Sequence, residues 1–508
     1  MADSKPAPSL AVRTATGAGW IMVWRMVTRI LGVVSTIVLV RLLAPADFGL
    51  VALATTFTQI VEWLAVIGIY EAIIREEKTD TDLYNTAFTM TLIRGAVLGA
   101  VIALGAWPVA HFFNDPRLAD ILFVLAGVSV LSACENVGVI EFRRDMIFQK
   151  EFQLLVVPRI FGIVMSISAA FLFASYWALI VGILANRSLR LILTYVMHPF
   201  RARLRLNAWR RIIRFSVYSW LSAIVTMIRD RADTVVIGRV FGPASAGVYS
   251  VGWEIGSLTS TELVEPITSA LFAGFSQGRR TGEDISAGYF KAISATFLLT
   301  LPMGVGLSML AAPVIVLAFG THWLEAVPLV QVFAIVCMGK VIAYFSIALL
   351  GANGLVHISF RVTLISMIAR LILLFTLVTP LGMMGAVVAT AATAVLEELI
   401  YLVITFRRFN LRATDLLLGT WRCMVATIVM GAVLYWCGLA WSPAPESASL
   451  AAWDLAIGVP IGAAAYTATV LALWLASGRP RGAEAMFLEV AGGTLRHWGG
   501  SRLFKHPR

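Results

Sequence analysis

Runs of about 20 consecutive apolar residues follow one another, with short polar segments between them, from Trp20 almost to the C-terminus. Each run can cross a hydrocarbon core of about 30 Å as an α-helix. Because 59% of the 508 residues are hydrophobic and only 14% are charged, a soluble domain could not bury that much apolar surface. The sequence therefore predicts an all-α polytopic membrane protein.

The runs predict about 14 transmembrane helices, numbered here in chain order. They lie near residues 20–40, 50–73, 85–107, 118–140, 152–173, 177–197, 214–238, 247–273, 289–312, 326–351, 362–380, 385–406, 421–441 and 455–477.

Basic residues are distributed unevenly between the connecting segments. If the N-terminus is cytoplasmic, 27 of the 40 Lys and Arg lie in segments on the inner side, and those on the outer side are only Arg41, Arg117 and Arg239. Cytoplasmic loops of membrane proteins carry an excess of Lys and Arg. The distribution therefore predicts a multi-pass protein with both termini in the cytoplasm. The net charge of +11 follows from this topology and from contact with membrane lipids, so nucleic acid is not an expected partner.

One short motif occurs twice. The segments "LVRLLAPADFGLVALA" at 39–54 and "IGRVFGPASAGVYSVG" at 237–252 align at an offset of 198 residues, which pairs Arg41 with Arg239, Pro45 with Pro243 and Gly49 with Gly247. The copies follow helices 1 and 7, six spans apart, so the sequence predicts a parallel internal repeat. Turn chemistry alone is the alternative explanation. In that view the prolines end a helix, Asp47 and Ser245 cap the next one, and the glycines allow close backbone approach.

The repeat predicts two six-helix lobes and a C-terminal helix pair around a central cavity. The expected parts are a cytoplasmic tail at 1–19, an N-lobe at 20–197, a basic linker at 198–213, a C-lobe at 214–406, a linker with the last two helices at 407–477 and a basic tail at 478–508. The linker region "HPFRARLRLNAWRRIIRF" at 198–215 carries six arginines with apolar residues between them. We expect it to lie on anionic headgroups.

Polar residues follow one face of four predicted helices. An ionisable group inside a span costs roughly 2.5–3.5 kcal/mol on insertion scales, so each is a candidate functional residue. Arginine suits a phosphate-bearing ligand, because its guanidinium can donate two parallel hydrogen bonds. The predicted substrate cavity is lined by Arg25 and Arg29 in helix 1, Gln59 and Glu62 in helix 2, Ser222, Thr226, Arg229, Asp230 and Asp233 in helix 7, and Glu254 and Ser257 in helix 8.

Structural explanations of these charges remain open. Arg25 is close enough to the start of helix 1 for its side chain to reach the cytoplasmic interface. The acids and bases of "RDRAD" at 229–233 could neutralise one another without contacting a ligand. Further intramembrane charges, which the sequence does not assign, are Arg94, Glu135, Arg159, Arg187, Arg190, Lys340 and Arg370.

Motifs of known enzymes are missing. Gly339 and Lys340 lack the upstream glycine and the following Ser or Thr of a phosphate-binding loop, so hydrolysis of ATP by this chain is not expected. The sequence contains no HExxH, no GxSxG and no paired His or Cys at metal-ligand spacing. We therefore expect neither an enzyme nor a bound cofactor or metal.

The two repeat segments, extended to "VLVRLLAPADFGLVALA" and "DTVVIGRVFGPASAGVYS", resemble the polysaccharide biosynthesis flippases of the Wzx type. The superfamily to which these flippases belong also contains multidrug and toxin extruders and the lipid II flippase. The resemblance implies movement of an undecaprenyl-pyrophosphate-linked oligosaccharide from the cytoplasmic to the periplasmic leaflet, by alternating access between two lobes whose helices 1, 2, 7 and 8 line the cavity. It also implies a bacterial inner-membrane location, a role in exopolysaccharide, capsule or O-antigen synthesis, and a polymerase and export machinery as partners.

Three alternatives accompany this interpretation. A small-molecule antiporter of the same superfamily would also contain the repeat, although twelve helices are usual there. A lipid II flippase would differ only in cargo. A membrane glycan polymerase would need a large outer loop, which the short segments at 107–118 and 442–454 do not supply. The sequence names neither the sugar nor a coupling ion.

Overall fold

The computed structural model describes residues 27–28, 31–32, 34–64, 73, 81–144, 147–209, 217–281, 285–480 and 484. Every α-helix or 3-10 helix named below lies within these ranges, and they contain no β-strand.

The chain divides between Val248 and Tyr249 into two compact units. The first unit contains helical residues 34–42 (α1), followed by α2 (Pro45–Leu64), α3 (Thr81–Phe113), α4 (Arg117–Ala133), a 3-10 turn (Val137–Val139), α5 (Ile140–Arg144), α6 (Phe148–Phe173), α7 (Trp177–Met197), α8 (Val217–Phe241) and the start of α9 (Pro243–Gly256).

The second unit contains the end of α9 and all later helices. These are α10 (Leu258–Thr281), α11 (Ile285–Met309), α12 (Ala311–Phe319), a 3-10 turn (Thr321–Ala326), α13 (Val327–Gly339), α14 (Val341–Ala352), α15 (Val356–Leu381), α16 (Met383–Phe409), α17 (Ala413–Trp436) and α18 (Ala448–Ala476). The predicted lobes at 20–197 and 214–406, and their linker, stay predictions.

Nine helices in the described ranges are long and apolar enough to cross a membrane. They coincide with predicted helices 3, 5, 6 and 9 to 14, so the prediction of an all-α, multi-pass membrane protein is confirmed. The other five predicted helices are 1, 2, 4, 7 and 8. Helix 1 is described only in part, helix 4 is 17 residues long and helix 8 is interrupted, whereas helices 2 and 7 carry polar residues that lower their mean hydropathy. The count of 14 therefore stays a prediction.

Three predicted helices are interrupted. Predicted helix 4 ends at Ala133, where the Asn136 side chain accepts from the Gly138 N–H at 3.0 Å and starts a 3-10 turn. Predicted helix 8 breaks at Ser257, between α9 and α10, and predicted helix 10 breaks at Lys340, between α13 and α14. A glycine precedes both of these breaks, which lowers the propensity for a continuous helix.

Each unit has its own apolar core. In the first unit Leu50, Ile102 and Leu122 are fully buried where α2, α3 and α4 meet. In the second unit Tyr289 of α11 and Phe345 of α14 are fully buried in a cluster that also contains residues of α10. Burial of such side chains contributes roughly 1.5–3 kcal/mol each.

The linker adopts a specific extended path. The backbone N–H groups of Arg203, Arg205 and Ala208 donate to the side chains of Asn85, Thr89 and Thr86 on α3, at 2.7, 3.0 and 3.2 Å. The side chains of Leu204, Leu206 and Trp209 are exposed. The sequence predicted contact with headgroups but not this attachment, because hydrogen bonds to an extended backbone leave no periodic signal. Headgroup contact stays a prediction.

Candidate functional site

Both copies of the repeat turn place the proline at the start of a helix. Pro45 is the first residue of α2 and Pro243 the first of α9, where the missing N–H of proline costs no hydrogen bond. Asp47 is therefore in the first turn of α2 rather than before it, which corrects the expected capping position. Its carboxylate still accepts hydrogen bonds from the backbone N–H groups of Ala44, at 3.3 Å, and Tyr176, at 3.1 Å.

The two turns contact each other through their backbones. A Cβ atom added to Gly49 would overlap the carbonyl group of Pro243, and a Cβ added to Gly247 would overlap the carbonyl oxygen of Pro45. The same added Cβ on Gly247 would lie 2.9 Å from the nitrogen of Gly49. Each copy thus contacts the other with equivalent residues, as two objects related by a two-fold axis do. Only glycine fits at these two positions.

The contact continues along α2 and α8, which run antiparallel to each other. A Cβ on Gly238 would lie 3.0 Å from Cδ1 of Leu53. Glu62 on α2 and Arg229 on α8 are each nine residues from this contact, or about 13.5 Å of helix. The structure thus brings predicted helices 2 and 7 into contact in the first unit. The prediction that Gln59, Glu62 and Arg229 line one cavity stays a prediction.

The predicted residues of helix 7 differ in their surroundings. Asp233 is 2% exposed, and Thr226 and Arg229 are half-buried. Asp230 is exposed and accepts from Nε of Arg229 at 2.9 Å. This ion pair agrees with the open alternative of a self-neutralising cluster for these two residues. The side chain of Ser222 lies outside the described part of the structure.

Helix 1 is described only in part, and its predicted site residues Arg25 and Arg29 lie outside the described residues. Gly32, one turn further on the same predicted face, is described. A Cβ on Gly32 would lie 3.1 Å from Nη2 of Arg159 on α6. The polar face of helix 1 therefore meets an arginine from helix 5, which sequence reasoning left unassigned.

Charged residues that the sequence left unassigned also lie together beside the break that follows α4. Glu135 is 7% exposed, and its Oε2 lies 3.2 Å from Nε of Arg190 on α7. Within the described ranges, neither Oε1 of Glu135 nor Nε of Arg190 has a hydrogen-bond partner. Arg187 is also close enough to act on the Glu135 charge. The group has an excess of positive charge and unused hydrogen-bonding capacity.

Two of the three outer arginines, Arg117 and Arg239, lie at the turn between α3 and α4. Arg117 donates to Asp115 through Nε at 3.0 Å and Nη2 at 2.7 Å, and this hydrogen bonding raises the pKa of the guanidinium above its ordinary value. The guanidinium carbon of Arg239 lies 5.2 Å from the ring centroid of Phe112. With its amide oxygen turned toward Arg239, Asn114 accepts from Nη1 at 2.8 Å. Arg41 is exposed on its turn.

The predicted residues of helix 8 are in the second unit, at the break between α9 and α10. Ser257 is buried, and its hydroxyl donates to the Glu254 carbonyl at 3.3 Å. The carbonyl of Ser257 accepts from the hydroxyls of Ser260, at 3.0 Å, and Thr261, at 3.2 Å. The same carbonyl also accepts from the backbone N–H groups of Ser260 and Thr261, both at 3.0 Å, so it starts the hydrogen bonding of α10. Glu254 itself is half-buried.

Three charged residues in the second unit have specific partners. Arg370 is 6% exposed and donates through Nη2 to Thr390 Oγ1 at 2.6 Å. The Lys340 ammonium lies 4.7 Å from the ring centroid of Trp253. Glu398 accepts from the Ala343 N–H at 3.0 Å. Sequence reasoning missed Glu398, although "LEELI" inside an apolar run is a signal that could have found it. In the described ranges, no group of three His, Cys, Asp or Glu residues could hold a metal ion.

A family model described as a polysaccharide biosynthesis protein, Polysacc_synt_3, matches residues 38–328, which is more than half of the chain. The chain belongs to this family. The matched region contains both copies of the repeat turn. The prediction of the family is therefore confirmed. The prediction of a flippase of this superfamily that acts in polysaccharide biosynthesis is confirmed with it.

Curated relatives agree with the family. The succinoglycan biosynthesis transport protein ExoT of Rhizobium meliloti (strain 1021) is 25% identical over 331 residues, covering 65% of this chain and 67% of its own. The lipopolysaccharide biosynthesis protein WzxC of Escherichia coli (strain K12) is 23% identical over 361 residues, covering 70% and 73%. The teichuronic acid biosynthesis protein TuaB of Bacillus subtilis (strain 168) is 22% identical, covering 70% and 74%.

Solved structures show the fold. The lipid II flippase MurJ in an inward closed conformation superimposes with a TM-score of 0.73 at 14% identity, over 90% of this chain and 99% of that one. An inward-facing multidrug resistance transporter of the MATE family superimposes with a TM-score of 0.61 at 16% identity, over 75% and 94%. The chain therefore has the polytopic helical fold of this superfamily.

Proposed function

We propose that this flippase moves an undecaprenyl-pyrophosphate-linked oligosaccharide from the cytoplasmic to the periplasmic leaflet of a bacterial inner membrane. The product would serve the synthesis of exopolysaccharide, capsule or O-antigen, together with a polymerase and export machinery. The family match over residues 38–328 carries the proposal. A diphosphate and sugar hydroxyls cannot cross hydrocarbon unaided, because polar groups without hydrogen bonds are costly there.

The proposed topology has about 14 helices, two lobes and both termini in the cytoplasm. The distribution of Lys and Arg supports it. The reciprocal contact of Gly49 and Gly247 supports a two-fold relation between the repeat copies. In alternating access, two such halves would separate and close around a substrate site.

The proposed cavity contains the polar faces predicted for helices 1, 2, 7 and 8. The contact of α2 with α8 at Leu53 and Gly238 supports a wall shared by helices 2 and 7. Arg159 is also part of the proposed cavity, because its guanidinium adjoins Gly32. Gly32 lies on the predicted face that carries Arg25 and Arg29. Guanidinium groups there would hold the pyrophosphate while the polyprenyl chain stays in lipid.

Deletion of the gene in its own host tests the cargo and the direction of movement. The leaflet of the lipid-linked sugar is measured by its access to a membrane-impermeant oxidant in right-side-out and inside-out vesicles. We expect repeat units trapped on the cytoplasmic leaflet. Units that reach the outer leaflet but stay unpolymerised would identify a polymerase instead. Trapped lipid II would identify that cargo, and drug sensitivity with normal sugar distribution would identify a small-molecule antiporter.

Substitution of the arginines tests the cavity. Arg29→Ala and Arg229→Ala, at normal protein levels, should each reduce polymer export at least tenfold, since loss of a charge-assisted bidentate contact costs about 1.5–3 kcal/mol. Arg408→Ala is the matched control, because Arg408 is exposed at the end of α16. Export at the control level in both cavity variants would refute the proposed lining.

A further inference from the structure

Three charged side chains of the second unit lie near the middle of candidate membrane spans. Lys340 belongs to Thr321–Ala352, Arg370 to Val356–Leu381 and Glu398 to Met383–Phe409. Each is more than ten residues, or roughly 15 Å of helix, from either end of its span. Charges at this depth are costly to insert and typically belong to ion or proton pathways. These three residues are called the midspan cluster.

The span that carries Lys340 is broken at this level. Helix α13 ends at Gly339, α14 begins at Val341, and Lys340 connects them. The Ala343 N–H, in the first turn of α14, donates to Oε2 of Glu398 at 3.0 Å. A helix N-terminus leaves backbone donors unpaired and favours a nearby negative charge. Discontinuous membrane helices with such termini are the usual place of coupling-ion sites in secondary transporters.

Lys340 connects Glu398 with a second interrupted helix. Its ammonium lies 4.7 Å from the ring centroid of Trp253 on α9 and is close enough to Glu398 to interact with that carboxylate. Addition of a proton to Glu398 removes the charge that attracts Lys340 and leaves the Trp253 ring as the stronger partner. Helix α9 begins with the second repeat turn at Pro243. The charge of Glu398 therefore acts on the helix that carries this turn.

Other titratable and charged groups face Glu398 from the surrounding helices. They are Glu397 on α16 itself and Tyr289 on α11. Cys337 on α13 is close to Lys340 and Arg370, and Arg370 on α15 donates to Thr390, which is two turns from Glu398 on α16. The Tyr289 hydroxyl lies 3.0 Å from that of Ser346, and both residues are fully buried. Addition of a proton to Glu398 raises the net charge of the midspan cluster by one.

We propose that Glu398 is the group whose reversible protonation couples transport to a proton gradient. This inference rests on the proposed transport function. A proton from water on one side of the membrane binds Oε1 while Oε2 continues to accept from Ala343, and its release to the other side restores the carboxylate. No other bond changes, so the cycle needs no further reactant.

Infrared difference spectroscopy of the purified full-length protein tests proton binding without any cargo. Acidification protonates several carboxylates, so we expect the difference spectrum of Glu398→Gln to lack one carboxylic acid C=O component that the wild type and Glu397→Gln both show. Glutamine keeps an oxygen that can accept from Ala343, so a purely helix-capping role would be preserved. An unchanged band in Glu398→Gln would overturn the proposal.

Transport in inverted membrane vesicles tests the coupling. An imposed pH gradient should accelerate transfer of lipid-linked sugar by the wild type and by Glu397→Gln, and nigericin should abolish the acceleration. Glu398→Gln should lose the response to the gradient. If the imposed pH gradient does not change the rate of wild-type transfer, the coupling role is wrong, whereas the proposed flippase function is unaffected. No transfer at all would contradict the proposed function, and the infrared band would then decide proton binding alone.

Discussion

The two copies of the repeat turn have the same backbone arrangement but different side-chain support. In the first copy the Asp47 carboxylate accepts from the N–H groups of Ala44 and Tyr176. In the second copy the Ser245 hydroxyl, at the equivalent position, donates to the Phe241 carbonyl at 3.5 Å on an exposed surface. The following helices also differ, because α2 continues for 20 residues whereas α9 ends after 14.

The difference shows which features of the turn the contact requires. Proline is favoured at the start of the helix in both copies, and glycine lets the two backbones meet, so a side chain does not fit at the glycine position. The residue between them faces a different neighbour in each copy. It can therefore diverge without disturbing the contact.

The largest expected effect comes from loss of a contact glycine. Gly49→Val places carbon atoms where the Pro243 carbonyl group lies, and rotation of a side chain cannot relieve an overlap at Cβ. We expect a loss of about 1–3 kcal/mol in stability, typical of overpacking. Gly247→Val should have a similar effect, since its Cβ would meet Pro45. Thermal unfolding in detergent and restoration of polymer export in the deletion strain measure both variants.

Gly127→Val on α4 provides the control. A Cβ on Gly127 would have no atom within 4 Å, and the residue is exposed. The change should therefore remain within about 0.5 kcal/mol of the wild type, as surface substitutions usually do. If Gly49→Val unfolds at the same temperature as this control, the reciprocal contact contributes nothing to stability.

Much of the fold follows from patterns that the sequence displays directly. The apolar runs predict the nine clearest spans because each must be about 20 residues long to cross the bilayer. The repeat is visible because proline and glycine have few substitutes at its turn. The helix breaks at Asn136, Ser257 and Lys340 were not predicted. Hydropathy changes little across a break, and at the first and last breaks an acceptor for the backbone comes from a distant part of the chain, namely Thr194 for Asn136 and Glu398 for Ala343.

The candidate site was predictable only in part. Periodicity placed Glu62 and Arg229 on polar faces, but a single sequence does not reveal that their helices meet at Leu53 and Gly238. The partner of Arg190 is Glu135, 55 positions earlier in the chain. Such pairs form between helices that are not adjacent in sequence, so spacing rules within one helix cannot find them.

A smaller effect on stability should distinguish the two copies at Asp47 and Ser245, the equivalent position where their residues differ. Asp47→Ala removes the acceptor of two backbone N–H groups, so we expect a loss of about 1–2 kcal/mol, comparable to the loss of a helix cap. Asp47→Asn, which keeps one oxygen acceptor, should lose less. Ser245→Ala should change the unfolding temperature little, because its hydrogen bond is long and exposed. Equal losses in the Asp47→Ala and Ser245→Ala proteins would remove the distinction between the copies.

The smallest expected effect concerns the arginine of the second copy. Arg239 lies over the Phe112 ring at 5.2 Å and donates to Asn114, so it ties the second turn to the end of α3. A double-mutant cycle with Arg239→Ala and Phe112→Leu should give a coupling free energy of about 0.5–1 kcal/mol, as exposed cation–π pairs do. Arg239→Lys should retain part of this coupling, since lysine keeps the charge over the ring but loses the planar guanidinium. Strictly additive unfolding free energies would mean that Arg239 acts only as an exposed charge, and that the two turns are joined by their glycine backbones alone.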